Sequence, residues 1–402
     1  MSQKRRENGV DASLSQTGVR MKLMSIPDTT AEKWNAFVAR WPDFGLLQSY
    51  EWGKFKQALG WKVLRLAVEQ DGQLVAGAQM LIKPLPLGTV SLAYIPRGPL
   101  LNWEDKPVAH TLLSALHTAA RHHRAISLKI EPPARYSPGM LQRLQSYGFR
   151  RSVFSNQPQC SLLIDLIPDD DTILANMRKT TRYNIGYSAG KGVVVREGTA
   201  ADLDAFYRLL EFTARRAGFG IRSWEYHRQE WNTLAGQGYV KLLLAQFDGR
   251  ILAMRMPAVF GDRAATLHSG SSDAHMKLKP NELLMWESLK WAKAQGCTTY
   301  DMWGIPDEIG AHLYQEQPLP EEQEGELWGV YRFKRGFGGE AVYYVGAFDF
   351  VYLPVLNWLM NVVTIQLGSL DRLAQLGDRF SRRSDQPLAA ALNLPNLRGG
   401  QR

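Results

Sequence analysis

Apolar and polar residues alternate through GWKVLRLAVEQ (60–70), break at Asp71-Gly72, and alternate again through QLVAGAQMLI (73–82). Alternation on both sides of Asp-Gly predicts a β-hairpin. Strand side chains point to opposite faces in turn, and Asp-Gly supplies the positive φ values of a type I′ turn. The same pattern returns in GYVKLLLAQFDGRILAMRMPAVF (238–260), with Asp248-Gly249 at the break. A strand ending in a glycine turn follows in each place, SLAYIPRGPLL (91–101) and ATLHSGSSDA (265–274). An amphipathic helix comes next, TLLSALHTAARHHR (111–124) and ELLMWESLKWAKAQG (282–296), and then a short strand, AISLKIEP (125–132) and CTTYDMWGI (297–305). Four elements recur in one order, at an offset drifting only from 177 to 172 residues. That is the signature of one α/β unit used twice.

A hairpin, a strand, a helix and a further strand predict a mixed sheet with one parallel pair and a covering helix. This is the order of an N-acetyltransferase-like core. Each copy opens with two helices, TAEKWNAFVARW (30–41) and SYEWGKFKQALGW (49–61) in the first, LANMRKTTRYNIGYSAGK (174–191) and DLDAFYRLLEFTARRAGF (202–219) in the second. The expected fold class is α/β, with two tandem acetyltransferase-like (GNAT-like) domains from an internal duplication. The first spans 22–168 and the second 169–350. A basic tail, 1–21, precedes them, and an amphipathic helix with a second basic tail, 351–402, follows. No low-complexity linker separates the copies, so they are expected to pack together.

The 402 residues are 45% hydrophobic and 22% charged, which excludes disorder, collagen and a disulfide scaffold as the main architecture. Two cysteines, Cys160 and Cys297, permit at most one bridge and no zinc motif. The first residues hold no apolar signal core, so a reducing, cytoplasmic setting is expected. Residues 350–370 carry no charge, but Pro354, Asn357, Asn361, Thr364 and Gln366 interrupt them. Leu353, Leu356, Met360, Val363 and Leu367 recur at helical spacing. They predict a helix lying on a membrane surface, or one packed on its own domain, and not a span.

The net charge of +9 points to a polyanionic partner. Residues 1–22 and 371–402 each carry a net +3, and the run 178–196 alone carries +5 with no acidic residue. There Arg178, Lys179, Arg182, Lys191 and Arg196 interleave with Tyr183 and Tyr187. Phosphate-backbone contact and a solvated helix face fit this run equally well. In LLQSYEWGKFKQALGW (46–61), Gln48, Trp52 and Lys56 share one helix face. An aromatic beside a lysine can seat a phosphate or a sugar, although a core tryptophan with a solvated lysine has the same spacing. In AYIPRGPLL (93–101), prolines and a glycine make a rigid strand exit that fixes Tyr94 and Arg97, as a site or as a tight turn. LWGVYRFKRGFGGE (327–340) is rich in glycine and basic residues, but it is neither a Walker motif nor the pyrophosphate loop of acetyl-CoA enzymes. No His-Glu-x-x-His or Cys-His pattern occurs.

In this order, LLQSYEWGKFKQALGW, YIPRGPL, LKIEP (128–132), RKTTRYNIGYSAGKGV (178–193), TARRAGFGIRSWEYH (213–227) and YRFKRGFGGE (331–340) resemble the FemABX family of non-ribosomal peptidyltransferases, from about residue 22 to about 350. The resemblance implies aminoacyl transfer from aminoacyl-tRNA to the side-chain amine of a peptidoglycan stem peptide, on a UDP-linked or lipid-linked muropeptide. Neither cofactor nor metal is implied. Lys56 and an arginine, Arg222 first and Arg216 second, would hold the diphosphate and uridine side, with Trp52, Tyr94 and Arg97 beside the substrate. Phe333 and Lys334 match the family's Phe-Lys pair, Phe333 lining the channel and Lys334 stabilising charge at the reacting ester. Glu131 stands where many relatives have Asp and is a candidate proton acceptor. Arg178, Lys179, Arg182 and Lys191 would meet tRNA. The chain lacks a coiled-coil arm, is expected to be a monomer, and could touch the inner face of the membrane through 350–370. Two other readings compete: an acyl-CoA-dependent N-acyltransferase acting on a sugar or small amine, and a non-catalytic tRNA- or membrane-binding protein.

Overall fold

Asp71 and Gly72 have φ of 49° and 83°, and Asp248 and Gly249 have φ of 49° and 72°. Both expected hairpin turns are therefore of the type I′ kind. They occur in a computed structural model that describes residues 21–25, 31–85, 88–216, 220–319 and 326–367.

The first half runs β1 (Met21–Ser25), α1 (Ala31–Ala39), α2 (Tyr50–Ala58), β2 (Lys62–Gln70), β3 (Gln73–Pro84), β4 (Ser91–Ile95), α3 (Lys106–His122), β5 (Ala125–Ile130), α4 (Pro138–Ser146) and β6 (Arg150–Arg151). The second runs β7 (Cys160–Asp165), α5 (Asp170–Ala175), α6 (Lys179–Gly190), β8 (Val194–Glu197), α7 (Leu203–Arg216), α8 (Trp224–Leu234), β9 (Leu243–Phe247), β10 (Arg250–Phe260), β11 (Arg263–Ser271), α9 (Pro280–Ala294), β12 (Thr299–Gly304), α10 (Asp307–Tyr314), α11 (Glu326–Arg335), β13 (Glu340–Tyr343), β14 (Phe348–Val351) and α12 (Pro354–Leu367).

Two seven-stranded sheets result, β1-β2-β3-β4-β5-β14-β6 and β13-β7-β12-β11-β10-β9-β8. Each holds one parallel pair, β4 with β5 and β11 with β12, joined through its covering helix. The repeated unit is thus present twice. A strand exchange ties the halves together. β7, which the sequence boundary at 168 assigns to the first unit, pairs with β12 and β13 of the second sheet. β14, from the far end of the second unit, returns to pair with β5 and β6.

Helix α3 buries Val108, Leu112, Leu116 and Ala120, four residues apart, against the first sheet. Helix α9 does the same in the second with Leu284, Leu289 and Ala292. A third core belongs to both halves: Trp34, Phe37 and Phe55 from α1 and α2 pack with Phe206, Leu210 and Leu234 from α7 and α8. The halves therefore meet through buried apolar surface and leave little freedom for independent motion.

The tails at 1–20 and 368–402 lie outside the described residues. On α12, Val355 and Trp358 are 72% and 63% exposed, and Leu356, Leu359 and Val362 are also exposed. No helix among the described residues is long and apolar enough to cross a membrane.

Candidate active site

Helix α2 starts on Ser49, whose hydroxyl accepts from the Trp52 amide. Gln48, on the same stripe, is fully buried and serves the fold. Its side-chain amide donates to the Pro96 carbonyl at 2.6 Å and accepts from the Gln79 amide at 2.7 Å. Further along the stripe, Trp52 and Lys56 reach the seam between the halves. The Lys56 ammonium is buried, 5.2 Å from the Trp52 ring and 4.6 Å from the Tyr226 ring, and donates to the Tyr226 hydroxyl at 3.2 Å. Tyr226 comes from α8, and the Arg222 guanidinium lies 5.6 Å from its ring. Burial lowers the Lys56 pKa, and Arg222 lowers it further. The two cations thus share one aromatic across the seam, an arrangement that an anion would stabilise. Arg216 is elsewhere: it pairs with Asp273 and donates to Ser271 at 3.5 Å. The structure brings Arg222, not Arg216, to Lys56.

The exit of β4 is rigid. Arg97 adopts a positive φ of 45° before a cis Gly98-Pro99 bond. Its guanidinium stacks 4.6 Å from the Tyr344 ring and 5.6 Å from the Trp303 ring, crossing into the second half. Tyr94 donates to the Glu131 carboxylate and accepts from the Gln157 side chain at 3.1 Å. Glu131, buried, accepts from the Asn156 and Gln157 amides at 2.6 and 3.1 Å. Burial raises its pKa against these hydrogen bonds. Two backbone amides and a phenol hold this carboxylate, so the geometry makes it an anchor for the loop at 156–157.

The second half ends in a different constellation. Lys334, near the C-terminus of α11, donates to the carbonyls of Trp303 and Gly304 at 2.9 and 2.6 Å. Successive strand carbonyls point to opposite edges. Trp303 breaks that alternation with a φ of 66°, and both carbonyls converge on one ammonium. A bulky residue in the left-handed region is strained, a feature that clusters at functional sites. Asp301, also buried, accepts from Ser161 and from the Trp303 amide. Arg255 is buried in this sheet and donates to Thr266 at 3.1 Å. Burial brings the Lys334 pKa down to about 7, with Asp301 raising it and Arg255 lowering it. Phe333 turns the other way, into the second core beside Phe337.

The basic run divides. Arg182 caps the preceding turn, donating to the Ala175 and Met177 carbonyls at 2.7 and 2.9 Å. Arg196 forms a bidentate pair with Asp202 at 2.6 and 3.0 Å. Arg178, Lys179 and Lys191 remain exposed, and Tyr183 and Tyr187 stack at 5.8 Å beside them. The Arg178 amide donates to the Gly336 carbonyl, so this face adjoins the end of α11 that carries Lys334.

The sequence model of the FemAB family matches residues 29–256 and 248–364. The chain belongs to the FemAB family. Membership makes it an aminoacyltransferase built of two GNAT-like units. Among curated proteins it is similar to the lipid II:glycine glycyltransferase of Staphylococcus aureus (strain USA300), 22% identical over 413 residues, covering 84% of this chain and 95% of that protein. Among solved structures it matches FemX, with a TM-score of 0.74 and 22% identity over 85% of this chain and 100% of that one. It also matches a tandem GNAT protein from the clavulanic acid biosynthesis pathway, with a TM-score of 0.51 and 12% identity over 82% of this chain and 98% of that one. These likenesses agree with the duplicated fold.

Sequence reasoning missed Trp303, Asp301 and Arg255. Backbone carbonyls that hold an ammonium have no sequence signature. Tyr226 lies within the motif TARRAGFGIRSWEYH, but only the fold sets its hydroxyl against Lys56.

Proposed function

We propose that this FemAB-family enzyme transfers an amino acid from aminoacyl-tRNA to the stem-peptide amine of a lipid-linked peptidoglycan precursor. The observation that carries this reading is Lys334, a buried ammonium held by two carbonyls at the end of β12. An aminoacyl ester is already activated, so its aminolysis calls for neither nucleotide hydrolysis nor a cofactor. The developing oxyanion needs a fixed cation in a site shielded from water, and Lys334 supplies one. Its pKa of about 7 also fits it to pass a proton to the leaving ribose oxygen.

The precursor's diphosphate binds Lys56 and Arg222 at the seam, with Trp52 and Tyr226 as stacking surface. The acceptor amine then reaches the second half past Arg97 and Tyr94. The exposed Arg178, Lys179 and Lys191 take the tRNA backbone, and the stacked tyrosines offer a base platform. The preference for a lipid-linked acceptor is supported by the relative that carries lipid II in its name, and by α12. That helix exposes Val355, Trp358 and Leu359 ahead of a tail with +3 charge, a pairing suited to an anionic membrane surface.

The test is a transfer assay with a panel of charged tRNAs against UDP-linked and lipid-linked precursors, read by mass. One tRNA and the lipid-linked acceptor are expected to give product. Product from an acyl-CoA and none from any charged tRNA overturns the reading.

A further inference from the structure

His227, Glu230 and His268 come together behind the Lys56 pocket. His227 and Glu230 lie one turn apart on α8, and His268 projects from β11. Glu230 accepts from or pairs with His268 Nε2 at 2.7 Å and lies 3.4 Å from His227 Nδ1. One ligand atom from each residue falls within 4.8 Å of the others. His227 and Glu230 are each 1% exposed. His268 is 20% exposed and gives the cluster its access to solvent.

Two features are hard to reconcile with a purely structural triad. Neither ring nitrogen of His227 has a hydrogen-bond partner of good geometry, although the ring is fully buried. Buried polar atoms are nearly always satisfied, and a neutral imidazole with an unused lone pair is what a metal takes. A carboxylate this deeply buried also needs a compensating positive charge. A divalent cation among the three residues meets both needs at once. Tetrahedral zinc sets its ligand atoms about 3.5 Å apart. The His227–Glu230 separation already matches, and the His268–Glu230 pair must open by less than about 1 Å.

We infer that His227, Glu230 and His268 form a binding site for one divalent cation of the zinc class. Two imidazoles and one carboxylate leave a position for water or an anionic oxygen. The site lies beside Tyr226, whose ring is 5.4 Å from that of His227, and so adjoins the seam that holds Lys56.

The full chain, stripped with a chelator, is titrated with Co²⁺ and the visible ligand-field bands are recorded, followed by Zn²⁺ competition. One Co²⁺ per chain, displaced by Zn²⁺, is expected. His268→Ala, at the partly exposed position, should weaken binding by about tenfold or more while circular dichroism stays that of the parent, and Glu230→Gln should weaken it further. Absence of ligand-field bands in the parent, or equal affinity in parent and His268→Ala, overturns the proposal. The titration contains no substrate, so its failure leaves the transfer reading standing.

Discussion

Two buried lysines mark matching places in the two halves. Lys129 sits on β5 and Lys334 lies against the end of β12, the strand that repeats it. Lys129 pairs with Asp349 at 3.1 Å and also donates to Ser152 and to the Phe154 carbonyl. Its charge is cancelled inside the fold. Lys334 donates to the Trp303 and Gly304 carbonyls, which are neutral, and Asp301 acts on it as a neighbour. The first sheet end is a finished ion pair. The second keeps a cation whose charge is left for something else to use. Duplication supplied two equivalent strand ends, and the strand exchange separated their roles: β14 brings Asp349 to Lys129, and among the described residues no matching strand brings an acid into a salt bridge with Lys334.

The largest effect expected is from Lys334→Met. Turnover should fall by roughly 10²–10³-fold, as on removal of one oxyanion-stabilising group, with precursor affinity nearly unchanged. Normal turnover at saturation would end the assignment. The same variant should be the more stable protein near neutral pH. The unfolded lysine stays charged up to its ordinary value of 10.5, whereas the folded one loses its proton near 7. Between these values the unfolded chain binds more protons, so stability rises with pH. Below about pH 7 the buried ammonium costs up to roughly 5 kcal/mol, and methionine removes much of it. In the parent, turnover should decline as pH rises through about 7, because the charged form is lost. Lys334→Arg should move that limb to higher pH.

Lys129→Met should do the reverse. It leaves Asp349 buried without its cation, at a cost of about 3–5 kcal/mol in stability, and kcat per folded molecule should stay near that of the parent. Thermal melts paired with active-site-normalised rates separate the two lysines. A selective kcat loss in Lys129→Met would erase the distinction between the sheet ends. Lys56→Met comes next, raising the precursor Kd by about tenfold, the scale of one charge-assisted contact, with little change at saturation. Equal affinity would make Lys56 an ordinary buried lysine.

The duplication was legible because its signals are local. Period-two runs around Asp71-Gly72 and Asp248-Gly249 fix two hairpins without reference to the rest of the chain. The exchange of β7 and β14 was not legible, since nothing in CSLLID or FDFV names a partner strand. The site divides in the same way. Lys56, Arg222 and Lys334 came from motifs. Their roles in the fold depend on Tyr226 and on the Trp303 and Gly304 carbonyls, which only tertiary placement brings near. Charge misled in two places: Arg182 and Arg196 count toward a basic run, yet the first closes the end of α5 and the second pairs with Asp202. Net charge registers a side chain but not the carbonyls it satisfies.

Glu131 gives the smallest effect and the finest test of the comparison. It follows directly after β5, two residues beyond Lys129, so a catalytic Glu131 would return chemistry to the sheet end whose lysine is already neutralised. Its oxygens accept two backbone amides and the Tyr94 hydroxyl. Glutamine keeps one carbonyl oxygen for the amides and turns the other acceptor into a donor facing Tyr94. The expected loss is about 1–3 kcal/mol of stability, with kcat changed by no more than severalfold. A general base normally contributes about 10²–10⁴-fold, so the two roles are well separated on a rate axis. A hundredfold fall in kcat for folded Glu131→Gln would make this carboxylate the proton acceptor and place chemistry at both sheet ends. A melt shifted downward with turnover intact would leave the division between the halves as drawn.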